Sequence, residues 1–214
     1  YLDPAGSYTS GKVTYGSGQE FQPTSTQAET AVIKGQPVTF KIEGFNSETH
    51  YVEKWVVNGA DVAPTDSAYE LIGGTNKTEL KILDAQGEYE VEVVVKKFCT
   101  VKVCLFEGVS GHHPYTPLTN HNCEIQVKKI DGSSGTTLEP ESPGENKREY
   151  KYLKIKPGTE LAIIATLKSS SIYEMQSWTY EETGGGETQF NAEGDGTHKK
   201  TIYKDTTINV LLKK

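Results

Sequence analysis

The chain has 214 residues, a length that suits one or two domains, each able to bury a core of its own. It carries 22 Lys and Arg against 29 Asp and Glu, and the resulting net charge of -7 argues against binding nucleic acid through its phosphates. No apolar run approaches the ~20 residues that span a bilayer, and the first residue is Tyr, so we expect that a secretory leader has been removed.

The composition favours β-structure. The chain contains 12 Tyr, 21 Gly and only one Met, together with many Thr and Val. Because β-branched and aromatic residues fit a pleated, half-buried surface, we expect short strands joined by turns. The predicted fold class is all-β, with two β-sandwich-like domains in tandem.

Residues 1–26 mix Gly, Ser, Thr, Pro and Gln with isolated aromatic residues, which predicts an N-terminal tether or a loosely attached edge segment. A first domain is predicted over residues 27–97. Its strands alternate apolar and polar residues, as Val38 to Glu43 does, and a strand centred on Trp55 runs into the turn pair Asn58-Gly59. About six short strands are expected there.

Three features of this domain carry a family resemblance: the pattern Val38-x-Phe40, a Trp on a middle strand, and the run Asp84-x-x-Gly87-x-Tyr89-x-Val91. They resemble the immunoglobulin-like domain of the polycystic-kidney-disease (PKD) type. The resemblance implies that Trp55 fills the space between two sheets and that the Tyr89 hydroxyl bonds to backbone a few residues upstream. It also implies that Phe40 and Val91 stand where antibody domains place their inter-sheet disulfide.

A second β-rich domain is predicted over residues 98–214, and it begins with no linker. Its first strand pattern starts at Thr100, and a second pattern from Glu124 could pair with it. The run Glu160 to Leu167 is apolar enough for a central strand. Residues 150–214, with Gly158-Thr159, Trp178 and a terminal Asp205-Thr-Thr-Ile-x-Val strand, resemble the divergent repeats of bacterial surface proteins, including the internalin-B type and secreted or lipid-anchored Bacteroidetes-type proteins.

The three cysteines leave at least one thiol unpaired. Cys99 and Cys104 lie five residues apart on one predicted strand and therefore point to opposite faces. Two alternatives stay open, a disulfide between Cys104 and Cys123 or free, partly buried thiols. The nearby histidines His112, His113 and His121 do not have the spacing of a known zinc finger, so no metal site is predicted.

No catalytic pattern stands out. The chain lacks a Gly-x-Ser-x-Gly elbow and a phosphate-binding glycine loop before a helix, so we predict no enzyme activity and no cofactor. Exposed aromatic rings could form a platform for sugars, and the ligand-facing candidates are Tyr150, Tyr152 and Tyr115. Alternation places Tyr150 and Tyr152 on one face of a strand, and that face is either core or surface.

Together these features predict a non-catalytic extracellular structural or adhesive module of a bacterial surface protein. The alternative is a glycan-binding accessory surface protein. Its partner would be a protein or glycan at the cell surface, with no nucleic acid, and contact with the outer membrane would occur only through a removed N-terminal anchor. The expected location is extracellular or on the bacterial envelope.

Overall fold

A computed structural model describes residues 12–15, 19–21, 33–108, 114–118, 123–131, 134–141, 149–169, 171–190 and 197–214. These residues form β-strands and one three-residue 3-10 helix, Gly74–Asn76, which confirms the predicted all-β fold class. No helix in these ranges is long and apolar enough to cross a bilayer. Contacts divide the chain into two compact units, Tyr1–Lys97 (unit 1) and Phe98–Lys214 (unit 2).

The described residues of unit 1 form two antiparallel sheets. Its strands are β1 Lys12–Tyr15, β2 Gln19–Phe21, β3 Val38–Glu43, β4 His50–Val57, β5 Ala60–Asp61, β6 Tyr69–Ile72, β7 Glu79–Ile82 and β8 Val91–Lys97. The strand orders are β2-β1-β3-β7-β6 and β5-β4-β8. In β1-β3-β7-β6 and β4-β8 this is the immunoglobulin-like arrangement of strands A, B, E and D facing strands C and F.

The core of unit 1 forms between these sheets. Trp55 on β4 is 1% exposed and packs in one cluster with Ile42 and Leu80 of the facing sheet. Its Nε1–H donates to the carbonyl of Lys77 at 2.7 Å. A large ring with a satisfied N–H suits this position because it fills the space between the sheets without burying an unpaired donor. The predicted core role of Trp55 is confirmed.

Two local predictions for unit 1 also hold. Asn58 and Gly59 have φ values of 52° and 77° and join β4 to β5, as expected of a pair that tolerates the left-handed region in a tight hairpin. The Tyr89 hydroxyl donates to the carbonyl of Asp84 at 3.5 Å and accepts from the N–H of Gln86 at 3.2 Å. The tyrosine therefore returns to backbone just upstream.

In unit 2, too, the residues that the structure describes form two sheets. Its strands are β9 Cys99–Glu107, β10 Thr116–Pro117, β11 Cys123–Asp131, β12 Ser134–Leu138, β13 Glu149–Ile155, β14 Thr159–Leu167, β15 Glu174–Glu182, β16 Thr188–Gln189, β17 Thr197–Ile202 and β18 Thr206–Lys213. One sheet runs β10-β9-β18-β15-β16, with β13 also on β9, and the other runs β12-β11-β14-β17. The predicted pairing of β9 with β11 is wrong, since these strands lie in different sheets.

The central strands of unit 2 are the most apolar ones. β14 lies between β11 and β17, as its composition predicted. β18 lies between β9 and β15, antiparallel to β15 but parallel to β9. One core cluster joins both sheets, with Val103 and Val210 from one and Ile163 from the other, all fully buried. Trp178 belongs to this cluster at 3% exposure.

Candidate functional site

Two of the three predicted ligand-facing aromatic residues lie in the core of unit 2. Tyr150 and Tyr152 are 8% and 2% exposed. Strand β13 pairs with β9 so that Tyr150 stands opposite Val103 and Tyr152 opposite Val101, and both valines are fully buried. Since cross-strand partners share a face, the tyrosine face of β13 is the core face. This burial contradicts a ligand-facing role for both rings.

The same burial affects their ionisation. Removal from water disfavours the charged phenolate, so the pKa of Tyr152 rises to about 12 and the pKa of Tyr150 is also raised. Both side chains stay neutral and act as large apolar groups at physiological pH.

Tyr115, the third candidate, lies at the surface but is held in place. Its ring is half-buried and packs against Phe106, with 5.9 Å between ring centroids. Its hydroxyl donates to Glu187 Oε1 at 2.5 Å. Gly108 allows this packing, because a Cβ at that position would lie 2.8 Å from the ring. Tyr115 therefore links the segment after β9 to the segment after β15, and its role toward a ligand stays a prediction.

An open polar depression of about 470 Å³ lies on the outer face of the β9-containing sheet. We call it the polar groove. A row of cross-strand partners crosses it from β13 to β15: Lys151, Lys102, Thr207 and Glu181. The remaining lining residues come from the adjoining strand ends: Thr100, Glu182, Thr183, Asp205 and Thr206.

Three charged residues of the polar groove already have partners. Lys151 Nζ lies 3.3 Å from Glu141 Oε2, and Lys102 Nζ lies 3.7 Å from Glu149 Oε1. Asp205 Oδ1 accepts a hydrogen bond from the N–H of Thr100 at 2.7 Å. Exposed ion pairs of this kind contribute little stability and stay hydrated. The groove can thus offer hydroxyl, ammonium and carboxylate groups to a polar ligand, but none of its lining residues is aromatic.

In the sequence, Asp205 and the two threonines after it indicate only the start of the terminal strand. Lys102 and Lys151 were not singled out, although each sits at an outward position between apolar residues. That alternation was the available signal. The alternation does not give the register that brings Lys102 and Lys151 into one row, because β13 and β9 are far apart in sequence.

All three cysteines are buried, and none of them forms a disulfide, so the predicted alternative of a Cys104–Cys123 bridge is not present. Cys99 and Cys123 belong to the core cluster of unit 2, and Cys104 does not, as expected from its position on the opposite face of β9. Burial raises the pKa of both Cys104 and Cys123 to about 11, which keeps these thiols protonated and poorly nucleophilic near neutral pH. His112, His113 and His121 lie outside the described residues. Among the described residues, no group of three or more His, Cys, Asp or Glu side chains could hold a metal ion.

No family model matches the chain, and no curated protein does. Among solved structures it is similar to the major pilin subunit BcpA of Bacillus cereus, at 12% identity over 85% of this chain and 66% of that one, with a TM-score of 0.30. A major pilin protein from Streptococcus pyogenes matches at 13% identity, over 83% and 66% of the chains, with a TM-score of 0.33. The chain thus spans about 66% of the length of both pilins.

A bacterial adhesin from Mobiluncus mulieris, which contains intramolecular disulfide, isopeptide and ester cross-links, matches at 10% identity over 83% of this chain and 90% of that one, with a TM-score of 0.34. Similarity at this level assigns no family to the chain. Neither the PKD resemblance nor the surface-repeat resemblance is matched by a family model.

Proposed function

We propose that this chain is a non-catalytic structural or adhesive module of a bacterial cell-surface protein. The observation that supports the proposal is the pairing of the strands that begin and end unit 2. β9 and β18 lie side by side and parallel, and their register runs through seven pairs, from Val101 with Thr206 to Glu107 with Leu212.

This pairing determines how unit 2 responds to tension. Unit 1 precedes the first residue of β9, whereas Lys213 ends β18 at the opposite end of the ladder. Pulling these two points apart slides one strand along the other, so all the hydrogen bonds between the strands bear the force at the same time. If the two strands were antiparallel, the same two ends would lie at one end of the ladder and the bonds would open one after another. A module that transmits force between a cell and an attached object needs the first kind of resistance.

The proposal includes the predicted organisation of residues 1–26 as a tether or edge segment, residues 27–97 as an immunoglobulin-like domain and residues 98–214 as a second β-domain. It places the chain outside the cell, with a protein or glycan as its partner. Tyr115 is the remaining candidate for an aromatic contact to that partner. A spacer or adhesin of this kind requires no pocket with convergent acid and base groups.

Single-molecule force spectroscopy on the full chain, pulled from its two termini, tests the proposal. We expect two unfolding events, with the longer unit 2 identified by its larger gain in extended length. Unit 2 should unfold at the higher force, because forced unfolding follows the unfolding barrier and the β9–β18 ladder raises that barrier along the pulling direction. A unit 2 that unfolds at the same force as unit 1, or at a lower one, would contradict the proposed role.

A further inference from the structure

Within the part of the chain that the structure describes, strand β8 of unit 1 has an open edge. Among the described residues it pairs with β4 alone, and it ends the sheet β5-β4-β8. The standard immunoglobulin-like sheet continues with a further strand at this position. An unpaired strand edge exposes a row of N–H and C=O groups that can pair with another strand.

The direction of these backbone groups can be assigned. The N–H of Asn58 donates to the carbonyl of Glu90, and the N–H of Glu90 donates to Asn58 Oδ1, both at 2.8 Å. The backbone N–H and C=O of Glu90 therefore point toward β4. The extra residue of the irregular β4–β8 pairing is Glu53 on β4, so β8 itself alternates without interruption. Its even-numbered residues direct their backbone groups toward β4, and its odd-numbered residues direct theirs toward the open edge.

The side chains of β8 show a charge pattern that is complementary to itself. Val93 and Val95 are 3% and 2% exposed and face the core, so Glu92, Val94 and Lys96 lie on the other face. When two copies of β8 are placed antiparallel about Val94, Glu92 of each stands opposite Lys96 of the other. The odd-numbered Val93 then stands opposite Val95, with the backbone groups of both directed into the new interface.

This register meets the requirements of an antiparallel ladder. Val93 with Val95 forms hydrogen-bonded pairs, whereas Val94 with its copy and Glu92 with Lys96 form the non-hydrogen-bonded pairs, in which side chains approach most closely. A parallel, in-register alignment would instead place Glu92 beside Glu92 and Lys96 beside Lys96, which is unfavourable.

Lys96 Nζ already lies 2.8 Å from Glu53 Oε1 of its own chain. That contact is a surface pair, with the Lys96 side chain 37% exposed. An ammonium group has three donors and can contact both carboxylates.

We propose that the open edge of β8 binds the β8 edge of a second copy of this chain, antiparallel and centred on Val94, joining two three-stranded sheets into one. The proposal concerns unit 1 and does not rest on the mechanical role proposed for unit 2. Its occupant is fixed by complementarity, because the only charges on the outer face of the strand are of opposite sign and equidistant from its centre.

Sedimentation equilibrium on the full chain tests this interface. The unchanged chain should show a concentration-dependent monomer–dimer equilibrium. Glu92→Lys and Lys96→Glu should each weaken self-association by about tenfold or more, since both symmetric pairs then bring like charges together. An equimolar mixture of the two variants should associate again, because each cross-strand pair between the two different chains then joins a positive to a negative side chain.

Glu70→Lys on β6 is the matched control. It reverses the charge of a residue that is paired with Lys81 at 3.5 Å on the other sheet, and it should leave self-association unchanged. A chain that stays monomeric at all concentrations, a Glu92→Lys variant that associates as well as the unchanged chain, or a mixture that fails to associate would each overturn the proposal.

Discussion

The two units have similar sandwich cores, but the last strand of each unit lies at a different place in its sheet. In unit 2 the first and last strands are neighbours in the middle of a sheet, with β18 hydrogen-bonded on both sides. In unit 1 the last strand, β8, ends a three-stranded sheet. The comparison suggests a division of roles, in which unit 2 resists extension along its terminal strands and unit 1 presents an edge for association.

The units also differ in how their single tryptophans are satisfied. Trp55 donates a hydrogen bond to a backbone carbonyl. Trp178 packs against His198, with 4.4 Å between the ring centroids, and its Nε1–H has no hydrogen-bond partner among the described residues. Both rings are almost fully buried. A buried N–H without an acceptor costs free energy, so the two tryptophans should not contribute equally to stability.

The largest expected difference between the units is their stability at alkaline pH. All three cysteines lie in unit 2, and burial raises the pKa of Cys104 and Cys123 from 9.0 to about 11. Between these values the folded state binds more protons than the unfolded state. The stabilisation is therefore complete below about pH 9 and is lost as the pH rises toward about 11. Each thiol should lower the free energy of unfolding by at most about 1.4 kcal/mol per pH unit.

Urea unfolding at about pH 8 and about pH 10 measures this effect. In Trp55→Phe the remaining Trp178 reports on unit 2, and in Trp178→Phe the remaining Trp55 reports on unit 1. Cys104→Ala should reduce the pH dependence of unit 2. Equal losses of stability in the two units would contradict the assignment.

The second prediction compares the tryptophans directly. Trp55→Phe should destabilise unit 1 by about 2 to 3 kcal/mol, because it removes buried volume and leaves the Lys77 carbonyl without its donor. Trp178→Phe should destabilise unit 2 by only about 1 kcal/mol, since losing an unsatisfied buried donor offsets part of the lost packing. Scanning calorimetry with hydrogen exchange, which assigns each transition to its unit, checks the order. A larger loss for Trp178→Phe would show that its N–H is satisfied.

The third prediction concerns the start of the β9–β18 ladder. Asp205→Ala removes the acceptor for the N–H of Thr100 and should destabilise unit 2 by about 1 to 2 kcal/mol, with unit 1 unchanged. Asp205→Asn keeps an oxygen acceptor and should retain most of the stability. The Trp178 signal in urea unfolding measures both variants, and equal losses would mean that the hydrogen bond itself contributes little.

The sequence by itself determined the local features of this protein. Alternation defined the strands and Asn58-Gly59 defined a hairpin. The immunoglobulin-like resemblance implied that the Tyr89 hydroxyl bonds to backbone a few residues upstream. These features depend on residues close together in the chain, so their physical cause is present in a short window. The core positions of Trp55 and Trp178 follow from the size and apolar character of the indole on mid-strand positions.

Only the tertiary structure decided which face of each strand is covered and which strands are neighbours. Alternation placed Tyr150 and Tyr152 on one face of β13, but the pairing with Val101 and Val103 of β9 made that face the core. The parallel contact of β18 with β9 joins residues about a hundred positions apart, and no local pattern encodes it. Register between distant strands follows from the combined burial of both faces, which a single strand does not specify.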